Sequence, residues 1–238
     1  MKETIYTIPI NESFEQLCGC PLCRLHDKLE SDSLEYIMGA AMMESDVREQ
    51  CNTKGFCSKH YTDMLAMQNR LSLALTVESR LCELKDILSQ NLKKPMSRDV
   101  DMKKVPTLLT DTSGSCFVCE RVDSFMLQYY INTVYMWKND DVFRNEKFAR
   151  TPYFCLFHAS KLLEHGAKEL RKKDYTPFSE EVVAIINRYL CSLLEDVSTF
   201  CKSFDYRNAG KDIGNAKVSV EKAVVFLSGT CVNLEDYK

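Results

Sequence analysis

The sequence has few of the residues that interrupt regular structure. Its 238 residues include only 8 glycines and 6 prolines, which argues against an architecture of short strands and tight turns, and also against disorder. No apolar run approaches the roughly 18 residues that a membrane-spanning helix needs, so we expect no membrane insertion. The first ten residues contain no continuous apolar core of signal-peptide length. We therefore expect a cytoplasmic location.

Neither sign of charge dominates the chain. There are 31 basic and 34 acidic side chains, and the formal net charge is −3. This balance gives no global attraction to nucleic acid or to an acidic membrane surface. The sequence also lacks a phosphate-binding loop, an H-E-x-x-H motif and a recognisable serine–histidine–acid arrangement. These absences remove the commonest enzyme signatures.

Cysteine, in contrast, is abundant, with twelve in the chain. The cytosol keeps thiols reduced, so we do not expect six disulfide bonds. Metal binding is then the default explanation for cysteines that are regularly spaced.

Four short motifs occur as two similar pairs. Cys20-Pro-Leu-Cys23 is followed by Cys57-Ser-Lys-His60, and Cys116-Phe-Val-Cys119 is followed by Cys155-Leu-Phe-His158. The spacing within the two pairs is nearly the same, and an aromatic residue precedes the third cysteine both times. This repetition predicts a duplicated unit that holds one metal ion in each repeat. The predicted metal ligands are Cys20, Cys23, Cys57 and His60 in the first repeat, and Cys116, Cys119, Cys155 and His158 in the second.

Three cysteines and one histidine are a common ligand set for structural zinc, which favours four ligands in a tetrahedron. We therefore predict two zinc ions per chain. Iron, alone or in an iron–sulfur cluster, is the alternative, although such clusters prefer all-cysteine ligation and more closely spaced cysteines. Whether Cys18 or Cys51 joins the first site stays open. We interpret the other cysteines as small buried apolar residues: Cys82, Cys191, Cys201 and Cys231.

The segments around the motifs have helical periodicity. We predict an all-α fold of two tandem helical repeats, each a metal-pinned helical hairpin followed by a long helix. Apolar residues between Met67 and Leu88 recur every three or four positions and predict a core-facing stripe. The predicted domains are a first repeat at 1–92 with an extended N-terminal arm, a linker at 93–114, a second repeat at 115–208, and a C-terminal loop and short helix at 209–238.

The two sites should differ in exposure. The residues inside the first pair of motifs include Lys59, which must reach water, whereas those inside the second pair are all apolar. A drier shell protects thiolates. We therefore expect the first site to lose its metal first under mild oxidation.

Five segments resemble an uncharacterised bacterial family of cytosolic, cysteine-rich proteins defined as a domain of unknown function. The segments span nearly the whole chain: Lys2–Ile10, Cys20–Leu25, Met43–Arg48, Gly55–Tyr61 and Phe204–Asn208. The resemblance implies that the eight motif residues are metal ligands, and it implies no activity.

A metal with four protein ligands has no open position for substrate, so we predict a non-enzymatic scaffold or adaptor that acts with a protein partner. The alternative is a cytosolic thiol or metal sensor, because zinc-bound thiolates can be oxidised and release the ion. Nucleic-acid binding through a mildly basic middle region is opposed by the acidic total charge. A zinc hydrolase would need one of the ligands to leave the metal. The sequence specifies neither the partner nor the oligomeric state.

Overall fold

The computed structural model describes residues 5–39, 44–92, 106–107, 109–110, 114–208 and 212–229. Within these ranges the protein is all-α and contains no strand, which confirms the predicted fold class. The α-helices are α1 (Thr7–Glu15), α2 (Pro21–Met38), α3 (Ser45–Lys54), α4 (Ser58–Ala66), α5 (Arg70–Leu92), α6 (Phe117–Asn139), α7 (Leu156–Glu169), α8 (Lys172–Ser203) and α9 (Ser219–Ser228). A π-helical turn covers Phe143–Phe148, and 3₁₀ turns cover Tyr206–Asn208 and Gly214–Val218. None of the described helices is long and apolar enough to cross a membrane.

Several helix boundaries follow the signals in the sequence. Helix α2 stops directly before Gly39, and α3 ends before Gly55, whose φ of 64° no other residue type adopts as readily. Helix α6 ends at Asn139, within the polar stretch Lys138–Asp141. The N-terminal arm differs from the prediction, because residues 7–15 form α1 and Phe14 anchors that helix in the core.

The chain divides into two compact units that differ from the predicted repeats. The first, here called the outer unit, consists of Met1–Asp27 and Phe125–Lys238. The second, the inserted unit, consists of Lys28–Ser124 and interrupts the sequence of the outer unit. The predicted tandem repeat is therefore not confirmed. The predicted domain division at 92, 115 and 208 stays a prediction, since most of the 93–114 linker lies outside the described residues.

An aromatic cluster forms the core of the outer unit. The Phe14 ring of α1 lies 5.1 Å from the Phe143 ring of the π-helical turn, and the Phe148 ring lies 5.4 Å from that of Phe154 and 6.0 Å from that of Phe178. All five rings are buried. Because Phe154 directly precedes Cys155, this packing also fixes where α7 begins.

The inserted unit packs α3 against α5. Val47 and Cys51 of α3 are buried, and the buried face of α5 carries Leu73, Thr76 and Arg80. Arg80 donates hydrogen bonds to the carbonyl oxygens of Asn52 and Thr53 and so satisfies acceptors at the end of α3.

The prediction that the apolar stripe of α5 faces the core is wrong. Leu71 is 71% exposed and Leu81 is 60% exposed. The helix is turned so that Arg80 reaches the carbonyl groups at the end of α3, and this rotation leaves the more apolar face of α5 outside. On α6, in contrast, the residues at helical spacing are buried at all positions but Phe125, namely Val118, Val122, Met126, Tyr129, Tyr130, Thr133, Val134 and Trp137.

Candidate metal centres

Each of the four motifs lies at the start of an α-helix. The first ligand-type residue directly precedes the helix, and the second lies three residues later in its first turn: Cys20 and Cys23 on α2, Cys57 and His60 on α4, Cys116 and Cys119 on α6, and Cys155 and His158 on α7. The carbonyl of each leading cysteine accepts the first intrahelical hydrogen bond, at 2.9 to 3.3 Å. These positions share one face of the helix and meet its positive N-terminal end, which favours thiolates.

The eight predicted residues form two clusters. Cys20, Cys23, Cys155 and His158 form the first, here called the buried cluster, since all four are buried. Cys57, His60, Cys116 and Cys119 form the second, the partly exposed cluster, in which Cys57 and Cys119 are half-buried. Within each cluster the ligand-type atoms lie within 4.8 Å of one another.

The pairing of the motifs is crossed, so the prediction that each ion lies within its own sequence repeat is wrong. The C-x-x-C motif of one repeat meets the C-x-x-H motif of the other. The buried cluster belongs to the outer unit and the partly exposed cluster to the inserted unit. Neither Cys18 nor Cys51 is a member of either cluster.

Two hydrogen bonds account for the crossed pairing in the inserted unit. The Ser115 hydroxyl donates to the carbonyl of Lys54 at 2.5 Å, and the Phe117 amide donates to the carbonyl of Gly55 at 2.9 Å. They hold the start of α6 beside the loop that leads to Cys57. Loop-closure entropy grows only slowly with loop length, so the longer connection costs little more than the local one.

In the outer unit, the end of α1 positions the start of α2. Arg24 donates to the carbonyls of Ser13 and Gln16 at 2.5 and 2.7 Å, and the Ser13 hydroxyl donates to the Pro21 carbonyl at 2.7 Å. These bonds fix the loop that carries Cys20. The aromatic core holds the Cys155 segment, so protein contacts position both motifs.

The end of α9 closes the buried cluster from another side. The Gly229 carbonyl oxygen lies 3.8 Å from the Cys23 sulfur. A Cβ atom at Gly229 would lie 2.9 Å from Cβ of Phe157 and 3.3 Å from the Cys155 sulfur, and φ is 69°. Both the space and the backbone conformation therefore require glycine.

The distances in both clusters suit one tetrahedral ion. In the buried cluster, His158 Nδ1 lies 3.2 Å from the sulfurs of Cys23 and Cys155 and 3.9 Å from that of Cys20. The Cys23 and Cys155 sulfurs are 3.6 Å apart. Zinc bond lengths imply edges of about 3.6 Å between sulfur and nitrogen and about 3.8 Å between two sulfurs. The donors thus already lie near the corners of such a tetrahedron.

The partly exposed cluster has the same arrangement. His60 Nδ1 lies 3.2 Å from the sulfurs of Cys57 and Cys116 and 3.6 Å from that of Cys119. The Cys57 and Cys119 sulfurs are 4.0 Å apart. In both clusters Nδ1 is therefore the nitrogen that faces the thiols, and Nε2 points away.

The two histidines differ at Nε2. His60 Nε2 lies 2.8 Å from a carboxylate oxygen of Glu30, and Lys59 pairs with the same carboxylate at 2.5 Å. A carboxylate on the outer nitrogen fixes the tautomer and orientation of a metal-binding imidazole. His158 Nε2 is buried and has no hydrogen-bond partner among the described residues.

The electrostatics of the partly exposed cluster favour a cation. A hydrogen bond with His60 is the main reason that the pKa of Glu30 falls to about 2. Burial opposes the charged imidazole, but hydrogen bonds to Cys116 and Glu30 outweigh it and raise the pKa of His60 to about 10. Burial raises the pKa of Cys119, and the neighbouring Cys116 raises it further. The metal-free cluster therefore holds a proton, which a metal ion would displace.

Outside the clusters, the burial of the cysteines differs in part from the prediction. Cys82, Cys191 and Cys201 are exposed, so the prediction that they are buried is wrong. Cys51 is buried, and Cys18 is exposed beside Arg24, with 3.6 Å between its sulfur and Nη1. None of the described cysteines forms a disulfide, and Cys231 lies outside the described residues.

Three residues important for the clusters were missed by sequence reasoning. Glu30 lies within a charged stretch of α2 and has no motif of its own. Arg80 occupies a position where an amphipathic helix normally buries an apolar side chain, and Gly229 follows a short helix. A glycine at a helix end is a detectable C-cap signal, but nothing nearby connects it to a metal centre.

The family model described as "Family of unknown function (DUF6062)" matches residues 1–234. No curated protein matches the chain. No solved structure matches it either.

Proposed function

The chain belongs to the DUF6062 family, whose function is unknown, and we propose from its two clusters that it is a zinc-binding helical protein with two structural sites. Each site would hold one zinc ion through three cysteines and one histidine. The observation that carries this proposal is the near-tetrahedral placement of four donors in each cluster.

The donor set favours zinc over iron. The four cysteines of an iron–sulfur cluster are divided among two or more iron atoms, so the whole set spreads further apart than four ligands of a single ion. Here all donors of a cluster lie within 4.8 Å of one another, and one of them is an imidazole nitrogen. This compact set suits a single ion, and mixed thiolate and imidazole ligation is common for structural zinc.

A structural role fits the ligand count. Four protein donors fill a tetrahedron and leave no position for a substrate or for an activated water. Zinc at such a site contributes roughly 10–16 kcal/mol to the folded state, so each ion would hold two helix starts together. We propose a non-enzymatic scaffold or adaptor for a protein partner, in the cytoplasm, where free thiols persist.

A thiol or metal sensor is the second candidate function, and one observation favours it. Cys57 and Cys119 are half-buried, and their sulfurs are 4.0 Å apart. Hydrogen peroxide would oxidise one thiolate to a sulfenic acid and release hydroxide. Attack of the other thiolate on that sulfur would form a disulfide and expel a second hydroxide, and the loss of both thiolate ligands would displace the ion. The buried cluster offers an oxidant no comparable access.

Metal analysis of protein purified without air tests the proposal. We expect two zinc ions per wild-type chain. In each of the variants Cys155→Ser and Cys57→Ser we expect one zinc ion per chain. Isotope-labelled cadmium then identifies the ligands of each ion by nuclear magnetic resonance. Cadmium coupled to Cys20, Cys23 and Cys155 together supports the crossed pairing, whereas coupling of Cys20 and Cys23 with Cys57 would overturn it. Iron, or no metal, would overturn the zinc assignment.

A further inference from the structure

Helix α5 presents an apolar face that its own unit does not bury. Leu71, Ala74, Leu75, Leu81 and Cys82 are all exposed and recur along one side of the helix. An open groove of about 550 Å³ follows this side between Ala74 and Lys85. An apolar stripe at helical spacing indicates burial against another surface, and Arg80 already fixes the opposite side of α5 in the core of the inserted unit.

Two charges interrupt this apolar face, and they have opposite signs. Glu78 and Lys85 are seven residues apart, two turns along the same side of α5. Neither has an ion-pair partner among the described residues. A surface with one acidic and one basic group at this spacing is complementary to a copy of itself that runs in the opposite direction.

We propose that this face binds α5 of a second copy of the chain, with the two helices antiparallel about a two-fold axis. The axis passes between Leu81 and Cys82, midway between the two charges. It sets Glu78 of each copy against Lys85 of the other and brings the Leu81 side chains together at the centre. Each pair occurs twice, as a two-fold interface requires.

The antiparallel direction follows from the charges. In a parallel pair, Glu78 would face Glu78 and Lys85 would face Lys85, which is unfavourable at a partly desolvated interface. The stretch from Leu71 to Lys85 is about 21 Å long, so one pair of such helices buries less surface than a standard interface of about 1,600 Å². The dimer is therefore reversible and depends on protein concentration.

A charge exchange in the intact chain tests the proposal by sedimentation over a concentration series. Glu78→Lys and Lys85→Glu each set like charges against one another twice, and we expect each to weaken dimerisation roughly tenfold or more. The double variant restores the two attractive pairs and should return the dimer. Glu49→Lys, on the exposed side of α3, is the matched control for net charge and should leave the dimer unchanged.

Some results of these measurements would overturn the dimer itself, and others would overturn only its antiparallel contact. A wild-type chain that stays monomeric up to about 100 μM, or that associates only with a different protein, overturns the proposal. A dimer that the single variants do not weaken, or that the double variant does not restore, overturns the antiparallel contact. Circular dichroism keeps the test independent of folding, because all these positions are exposed and every variant should retain its helical signal.

Cross-linking offers a second measurement. Cys82 lies next to the axis, so a short thiol cross-linker should join two copies through this residue. Cys82→Ser should abolish the covalent dimer, whereas Cys191→Ser, which removes another exposed thiol, on α8, should not. A covalent dimer that persists after Cys82→Ser and disappears after Cys191→Ser contradicts the proposed contact.

Discussion

The buried cluster and the partly exposed cluster are made from the same parts, and they differ in what surrounds them. Each joins a C-x-x-C motif to a C-x-x-H motif at the starts of two helices. The buried cluster is enclosed by apolar and aromatic side chains, and the Nε2 atom of its histidine has no hydrogen-bond partner in the part of the chain that the structure describes. The partly exposed cluster instead has a carboxylate and a lysine behind its histidine.

This difference shows that one ligand set can be stabilised in two ways. Burial protects the thiolates of the first cluster and keeps attacking reagents away. In the second, Glu30 orients His60 and supplies negative charge behind the imidazole. We therefore expect the buried cluster to contribute more to stability, and the partly exposed cluster to respond more to charge and to reagents in solution.

Removal of a ligand from the buried cluster should have the largest effect. Cys155→Ser leaves two thiolates and an imidazole without a complete set of donors in a buried position. We expect its free energy of unfolding to fall by more than about 3 kcal/mol. Cys57→Ser should cost less, because water can reach the half-buried site. Chemical denaturation of the zinc-loaded proteins measures both values.

Cys191→Ser is the matched control for these variants, because Cys191 is exposed on α8. It should change stability by no more than about 0.5 kcal/mol. A loss after Cys57→Ser as large as that after Cys155→Ser would contradict the assigned difference between the clusters.

Glu30→Gln should weaken only the partly exposed cluster. The substitution keeps the shape of the side chain but removes the charge that faces His60 and Lys59. We expect the zinc affinity of this cluster to fall about tenfold, the lower end of the range for such groups behind a ligand, while the buried cluster keeps its affinity. Competition with a coloured chelator resolves the two ions, and Glu35→Gln on the exposed side of α2 is the control. Equal weakening of both clusters would show that Glu30 acts on the fold as a whole.

Thiol reactivity should follow exposure rather than sequence order. The sequence grouped Cys20 and Cys23 with Cys57 as the first site to lose its metal, but the structure separates them. We now expect Cys57 and Cys119 to be alkylated several times faster than Cys20, Cys23 and Cys155. Mass spectrometry of partly modified protein gives the order, and exposed Cys191 should react first whether or not metal is present. Modification of Cys20 or Cys155 before Cys57 and Cys119 would contradict the expected order of reactivity of the two clusters.

The sequence was sufficient to predict the all-α fold and the residues that form the clusters. Ligand-type residues at the N-cap and three positions later share one face of a helix, so a C-x-x-C or C-x-x-H motif already specifies local geometry. Helix periodicity is equally local, and the all-α class was predicted correctly for that reason. These features depend on neighbours within one or two turns.

The pairing of the motifs could not be predicted, because it depends on contacts between distant segments. The hydrogen bonds from Ser115 to Lys54 and from Phe117 to Gly55 join residues some 60 positions apart. Likewise, the rotation of α5 follows from Arg80 reaching the end of α3, a polar contact that overrides the apolar stripe. Periodicity identifies a face, but a buried arginine can decide which face turns inward.

The smallest expected effect concerns Cys51, which is buried near the partly exposed cluster without belonging to it. Cys51→Ala should leave both zinc ions in place and lower the free energy of unfolding by about 1 kcal/mol at pH 7, since only a small apolar contact is lost. Burial raises the pKa of the Cys51 thiol from 9 to about 11. Its neutral form therefore adds stability that is complete below pH 9 and is lost as the pH rises through about 11. The alanine variant lacks this titration, and two pKa units correspond to about 3 kcal/mol. The stability advantage of the wild-type protein should therefore shrink above pH 9 and reverse before pH 11, as denaturation at several pH values can measure. Loss of a zinc ion in Cys51→Ala would instead show that Cys51 is a metal ligand, and would contradict its assignment as a buried thiol outside the cluster.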